Sequence, residues 1–294
     1  MSIANVRTGA ERTTPQALFR VSPATRAGDV NRMTMDLGTP VSHGRTAALG
    51  VLLDDCLGFT MFERRGERAG LVSADLSVDF VRPTGWAGPR LTAEGRLETL
   101  GEDGGMSSVR VFDAAGGLVA TGTAWGNFID DVDPSRTDLP LEPLDESGPA
   151  PIPPLEMIGG SLERTDRGAR LTVPPNRSLA NSIGAMHGGV QACAYDLAGN
   201  AAAAGSAGAG STRAMDTSSL RINFFRTVPL DRPAVFEAEV LRAGRRVVVT
   251  RVTCTDADGR EYGVATVTCR RATPDDPATH GATGILGERD QAPS

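Results

Sequence analysis

The sequence predicts an α+β protein built as two similar halves, each a long helix packed on a curled antiparallel sheet. Three observations lead to that class. The chain has 294 residues, and at roughly 150 residues per domain this length suits two cores better than one. A Pro-rich, acidic stretch over residues 130–154 divides it, with Pro134, Pro140, Pro143, Pro149, Pro151, Pro153 and Pro154 set among small residues. That composition cannot sustain a helix or a central strand and suits an extended linker. The third observation is that the order of elements is the same on the two sides, 16–129 and 155–272, which marks an internal repeat.

In the first half, residues 46–62 read as an Ala- and Leu-rich helix carrying Asp54-Asp55-Cys56-Leu57-Gly58, and strand signals follow at 71–82, 91–99, 107–112 and 118–127. In the second, a hairpin over 162–173 leads to an Ala-rich helix over 188–204, then to strands at 218–226, 234–242, 246–255 and 261–271. The strand after each helix ends alike, in Asp79-Phe80-Val81-Arg82-Pro83 and in Asn223-Phe224-Phe225-Arg226-Thr227. The turns Asp113-Ala114-Ala115-Gly116-Gly117 and Asp256-Ala257-Asp258-Gly259 carry hairpin chemistry. One helix over one antiparallel sheet in each half is a two-layer solution. Open sheet edges need cover, so the halves are expected to join edge to edge with their long helices side by side. Residues up to about Pro15 and beyond about Thr273 read as loose ends.

Composition excludes several function classes. Thirty basic residues face 36 acidic ones, a net charge of −6, which argues against a nucleic-acid partner because phosphate binding requires a basic surface. All the basic residues are Arg and the sequence contains no Lys, so Schiff-base lysine chemistry and P-loop lysines are excluded. Cys56, Cys193, Cys254 and Cys269 form no C-x-x-C pair and have no metal-site spacing with the three histidines. Buried free thiols in a reducing compartment are expected. No stretch approaches 18 uninterrupted apolar residues, and residues 1–20 lack an apolar signal core. A cytoplasmic chain with no membrane span is expected. No metal, hydride-transfer or phosphoryl-transfer motif appears, and no cofactor is expected.

The chemically informative segment runs from Asn181 through His187-Gly188-Gly189 to Asp196 and Gly199. The two glycines open an apolar helix. Glycine there admits close approach to the backbone, and the unpaired N–H groups of a helix start favour developing negative charge. Such donors are suited to stabilising an oxyanion. Asp196 is a charge among Ala, Cys, Tyr and Leu on a helix that must be largely buried, a costly placement without a partner or a task. Taken singly, each feature has a structural reading: a turn glycine, a packing histidine, a polar cap. Together at one helix start, and echoed in the other half, they read as a site.

This segment resembles the hotdog-fold acyl-CoA thioesterases of the phenylacetyl-CoA and 4-hydroxybenzoyl-CoA type. Their motif is Asn, then His-Gly-Gly six residues on, then an acid nine beyond the His; here 187 − 181 = 6 and 196 − 187 = 9. A hydroxyl residue on the next strand is also usual, and Thr217 falls there. The resemblance implies a double hotdog whose Gly188 N–H and Asn181 polarise a thioester carbonyl. His187 would support the loop, and a carboxylate would act as base on water or as nucleophile. It further implies an acyl-CoA substrate, whose phosphates Arg226, Arg242, Arg245 and Arg246 are candidates to bind. Back-to-back pairing of two chains, a homodimer of pseudo-dimers, is the expected higher assembly.

The first half departs from the motif. A shift of 196 − 55 = 141 matches Asp55 to Asp196 and sets Thr46 opposite His187, Ala47 and Ala48 opposite the glycines and Pro40 opposite Asn181. On the strand after the helix, Ser73 takes the place of Thr217. His43-Gly44 lies three residues early. Gly188 and Asp196 are eight residues apart, about 12 Å along a helix, too far to act together. If the two helices run antiparallel, the carboxylate serving Gly188 comes from the first half. The expected working site is therefore Asn181, His187, Gly188 and Gly189 with Asp55 and Ser73, and the weak or dead one surrounds Asp196 and Thr217. A hydratase or dehydratase on the same fold, or a non-catalytic acyl-CoA-binding protein, are the other two readings.

Overall fold

In a computed structural model the described residues are 14–36, 45–130, 153–206 and 215–271. Most of the Pro-rich stretch, the segment with Pro40, His43 and Gly44, and both chain ends lie outside them.

After one turn of helix, α1 (Pro15–Leu18), the first half forms β1 (Thr25–Ala27) and β2 (Val30–Asp36). A 3-10 turn (Arg45–Ala48) then runs into α2 (Leu49–Phe62), and four strands follow: β3 (Gly70–Phe80), β4 (Arg90–Leu100), β5 (Gly104–Phe112) and β6 (Leu118–Ile129). The second half has the same plan. It runs from α3 (Pro154–Met157) and a β7–β8 hairpin (Ser161–Thr165, Gly168–Val173) through α4 (Gly188–Ser206) to β9 (Met215–Phe224), β10 (Ala234–Ala243), β11 (Val247–Thr255) and β12 (Glu261–Arg271). The Pro-rich stretch ends in a helical turn that its composition did not predict. Its Pro lies in the first helical positions, where a missing N–H costs nothing.

All strands join one 12-stranded sheet in the order β1-β2-β4-β5-β6-β3-β9-β12-β11-β10-β8-β7. The halves meet through β3 and β9, antiparallel from Asp75↔Asn223 to Asp79↔Ser219, so each half covers an edge the other would leave open. Arg221 on β9 reaches both carboxylate oxygens of Asp79 on β3, at 2.7 and 2.8 Å, across this seam.

Strand burial alternates, with Leu76, Val78, Phe80, Leu91, Val109, Val111, Leu220, Ile222, Phe236, Val252 and Val267 facing the helices. Both long helices are apolar on nearly every face because each lies between the sheet and the other helix. They cross antiparallel and very close. A Cβ on Gly50 would sit 2.5 Å from the Gly189 carbonyl oxygen and 3.0 Å from Cys193 N. A Cβ on Gly189 would strike the backbone of Val51 and Gly50. These two glycines allow backbone-to-backbone contact, and that contact brings the middle of one helix against the start of the other. All four cysteines are free and buried.

Candidate active site

The start of α4 is held from three sides. Asn181 accepts the N–H groups of Ile183 (3.2 Å) and Ala185 (3.0 Å) on its side-chain oxygen, which ties the preceding loop into a tight unit. The His187 N–H donates to the Leu179 carbonyl and the Met186 N–H to the Val228 carbonyl, both at 2.9 Å. Gln191 donates its side-chain amide to the Met186 carbonyl at 3.0 Å. Gly188 and Gly189, the first helical residues, therefore present their N–H groups from a fixed frame. These bonds use the side-chain oxygen of Asn181 and fix its orientation; polarising a carbonyl would fall to the Nδ2 donor of the same amide.

A carboxylate from the first half meets those amides, and it belongs to Asp54 rather than Asp55. Asp54 Oδ2 accepts the Gly189 N–H at 2.8 Å, and Ser73 on β3 donates to Asp54 Oδ1 at 3.2 Å. Gly188 lies against the same carboxylate, since a Cβ there would sit 2.7 Å from Asp54 Oδ2. The expected alignment was one residue out. Asp54 with Ser73 matches Asp196 with Thr217; the helices are related by a shift of 196 − 54 = 142 and these strand hydroxyls by 217 − 73 = 144, so Thr46 is the counterpart of Gly188 rather than of His187. Adjacent residues on a helix point about 100° apart, so only one of the two aspartates can face α4.

Asp55 takes the other side of His187. The imidazole lies between the two carboxylates, with Nδ1 3.2 Å from Asp54 Oδ2 and Nε2 2.9 Å from Asp55 Oδ1. Gln16 on α1, a residue that no sequence pattern singled out, donates to Asp55 Oδ1 at 3.0 Å and lies 3.2 Å from His187 Nε2. Burial works against a charged imidazole, but the carboxylates of Asp55 and Asp54 overcome it and push the His187 pKa up to about 9. As an imidazolium the ring donates to both carboxylates. Gly189 N–H, although 3.0 Å from Nδ1, then has Asp54 as its acceptor. Burial raises the pKa of Asp54; His187 opposes that shift, Asp55 adds to it, and the Gly189 N–H and Ser73 hydroxyl oppose it.

The equivalent place in the other half is built differently. Thr217 donates to Asp196 Oδ1, and Thr46 donates to Asp196 Oδ2 at 2.8 Å. Both oxygens of this carboxylate are occupied by hydroxyls of the chain itself. Burial pushes Asp196 up to about 6 against the opposing Thr217 and Thr46 hydrogen bonds.

The arginines divide. Arg226 is exposed at the end of β9, two residues before Val228 and hence beside the Met186–His187 loop. Arg242, Arg245 and Arg246 are exposed around the β10–β11 turn. The pairings Arg270↔Val247 and Arg271↔Met215 put that turn at the opposite end of β9. They do not converge with the Gly188 loop.

Two helix-over-sheet units in one chain, joined through their sheets with a carboxylate of one half at the helix start of the other, define a double-hotdog protein. The family model of the thioesterase superfamily matches residues 183–262, and that of the acyl-CoA thioesterase C-terminal domain matches residues 5–123. Among solved structures, the acyl-CoA thioesterase II TesB2 of Mycobacterium marinum is 11% identical with a TM-score of 0.62, covering 89% of this chain and 98% of its own. The TesB protein of Mycobacterium avium subsp. paratuberculosis is 13% identical with a TM-score of 0.57, covering 85% and 96%. A hotdog-fold protein of unknown function from Alicyclobacillus acidocaldarius is 13% identical with a TM-score of 0.56, covering 88% and 98%. At these identities the structures show a common fold. No curated sequence matches the chain. Each half thus matches a thioesterase family model, and the whole chain has the tandem-hotdog fold of the acyl-CoA thioesterase structures. It is a thioester hydrolase acting on acyl-CoA.

Proposed function

We propose that hydrolysis takes place at the junction of α2 and α4, with the Gly188 N–H holding the thioester carbonyl oxygen and Asp54 acting as general base. The observation that carries this reading is that Asp54, from one half, accepts the Gly189 N–H and lies against Gly188, the two glycines that open the helix of the other. Asp54 Oδ2 is engaged by Gly189 and His187, which leaves the Oδ1 side, shared with the Ser73 hydroxyl, to hold a water. A carboxylate whose pKa is raised by burial is a stronger base than an exposed one.

Attack by the water oxygen on the carbonyl carbon transfers one water proton to Asp54 and places negative charge on the carbonyl oxygen. That charge lies at the Gly188 N–H and the positive end of α4, where it is stabilised without reorganisation. Collapse expels the CoA thiolate, which takes the proton from Asp54, and the free acid and thiol leave. Arg226, exposed beside the Met186–His187 loop, is our candidate to bind a CoA phosphate. We further propose a cytoplasmic location and pairing of two chains into a homodimer of pseudo-dimers, the domains being 16–129 and 155–272 with 130–154 as linker.

Thiol release from a panel of acyl-CoAs tests the site. Asp54→Asn should lose at least about 100-fold in kcat while remaining folded. Retention of near-normal turnover would remove Asp54 from the chemistry. A burst of thiol equal to the enzyme concentration would instead indicate an acyl-enzyme and a nucleophilic carboxylate.

A further inference from the structure

Beyond the reacting groups, the site has an outer layer that no family motif describes. Asp55 follows Asp54 on α2 but points to the far side of His187, its Oδ1 2.9 Å from Nε2. Gln16 comes from α1, 39 residues earlier in the chain, and its side-chain amide touches both Asp55 Oδ1 and His187 Nε2. The α1 turn is itself fixed, because Thr14 caps it by accepting the Ala17 N–H at 3.2 Å. His187 is only 6% exposed, and both its ring nitrogens have protein partners.

We infer that Gln16 and Asp55 are positioning residues, which lock the His187 ring from the side opposite Asp54 and through it fix the Asp54 carboxylate on the Gly189 N–H and beside Gly188. This inference rests on Asp54 as the base. As an imidazolium, His187 donates from Nε2 to Asp55, and Gln16 donates to the same oxygen. In that state the Nδ1–H points at Asp54 Oδ2, so one oxygen of the base is occupied and the other faces Ser73. Among the described residues, the groups facing the ring are Asp54 and Asp55 from α2, Gln16 from α1 and the Gly189 N–H of α4. Asp55 does not touch the reacting atoms in this scheme, because the imidazole stands between it and Asp54.

The test compares Asp55→Asn, Asp55→Glu, Gln16→Ala and Asp54→Asn in the full chain. Steady-state hydrolysis of an acyl-CoA is measured together with the NMR titration of His187, whose signals are assigned among the three histidines by their loss in His187→Gln. Asp55→Asn and Gln16→Ala are expected to lower kcat by about 10- to 100-fold through misplacement of the base, with KM within about twofold. In Asp55→Asn the His187 titration should move toward lower pH, and Asp55→Glu should recover part of both losses. Thermal melting identifies a variant that has lost activity by unfolding; the His187 titration in the folded fraction then still decides, because general destabilisation does not move it. The inference is overturned if Asp55→Asn and Gln16→Ala keep full kcat, or if the His187 titration in Asp55→Asn is unchanged. If Asp54→Asn is active and Asp55→Asn is dead, the reading of Asp54 as base has failed instead, and Asp55 is the reacting carboxylate.

Discussion

Asp54 on α2 accepts the N–H of Gly189 at the start of α4 at 2.8 Å, so a residue of the first half completes a helix start of the second. The contact requires the two helices to cross at backbone distance, and it makes the chemistry of one half depend on the packing of both. A single point of contact thus ties the close approach of two backbones to the placement of a reacting group.

Gly188 should tolerate no side chain. A Cβ there would lie 2.7 and 2.9 Å from the two Asp54 carboxylate oxygens and would crowd the N–H offered to the thioester. Gly188→Val is expected to lower kcat by about 100- to 1000-fold, as loss of an oxyanion donor does elsewhere. Circular dichroism should show the fold retained. A folded Gly188→Val protein with normal turnover would end the oxyanion assignment.

Gly50 should be needed for the helix crossing. Its added methyl would sit 2.5 Å from the Gly189 carbonyl oxygen and 3.0 Å from Cys193 N, both backbone atoms that cannot swing aside. Gly50→Ala is expected to cost about 1–3 kcal/mol of stability by overpacking. Because relief moves α2 away from α4, the folded fraction should also lose specific activity as Asp54 leaves Gly189. Urea midpoints and activity per folded molecule check the two effects separately.

His187 predicts a pH dependence of stability. Its folded pKa, about 9, lies above the ordinary 6.5 because Asp55 and Asp54 outweigh the burial that opposes the charge. A raised histidine contributes stability that is complete below about 6.5 and is lost as the pH rises through about 9. At about 1.4 kcal/mol per pKa unit the contribution is at most about 3 kcal/mol. Wild type should lose stability between pH 7 and pH 10 by up to that amount, and His187→Gln, less stable at pH 7, should show a flatter curve over the same range. Equal slopes in chemical denaturation would contradict the bridging imidazolium.

Much of this architecture is legible in the sequence because its determinants are local. Alternating apolar positions mark β3 to β6 and β9 to β12, and hairpin turns built on Asp113 and Asp256 separate the strands; each Asp accepts turn N–H groups, as in Gly117 to Asp113 at 2.8 Å and Arg260 to Asp256 at 3.0 Å. The β1–β2 hairpin gave no such signal: β1 is exposed along its length, and Asn31 is buried among the β2 residues. The choice between Asp54 and Asp55 was not legible either. It depends on which way α2 is rotated against α4, a rotation set by Gly50 and Gly189 and by the 3-10 turn (Arg45–Ala48) that precedes α2 in the place where α4 begins directly. Gln16 had no signal at all, since its role exists only through contacts with Asp55 and His187 at sequence separations of 39 and 171.

Asp196 supplies the contrasting case. Like Asp54 it is a buried helix carboxylate beside a strand hydroxyl, but both its oxygens are closed by the Thr217 and Thr46 hydroxyls, and among the described residues no His hydrogen-bonds to it. Its pKa is pushed up to about 6 by burial, against the Thr217 and Thr46 hydrogen bonds. A carboxyl whose folded pKa is raised favours the folded state only while protonated. Its contribution is complete below about 3.8 and is lost as the pH climbs through about 6, so at pH 7 the ionised Asp196 destabilises the fold by up to about 3 kcal/mol. Asp196→Asn removes the charge and keeps an oxygen for the threonine hydroxyls, either of which can rotate to accept from the new amide. The variant should therefore be more stable than wild type at pH 7, and the gain should vanish toward pH 4. Its thioester hydrolysis should stay near the wild-type rate, because the carboxylate lies eight residues along α4 from Gly188, about 12 Å away. Asp54→Asn should show the opposite pattern in the same assay. An Asp196→Asn protein that is folded but inactive, beside an active Asp54→Asn, would reverse the assignment of the two carboxylates.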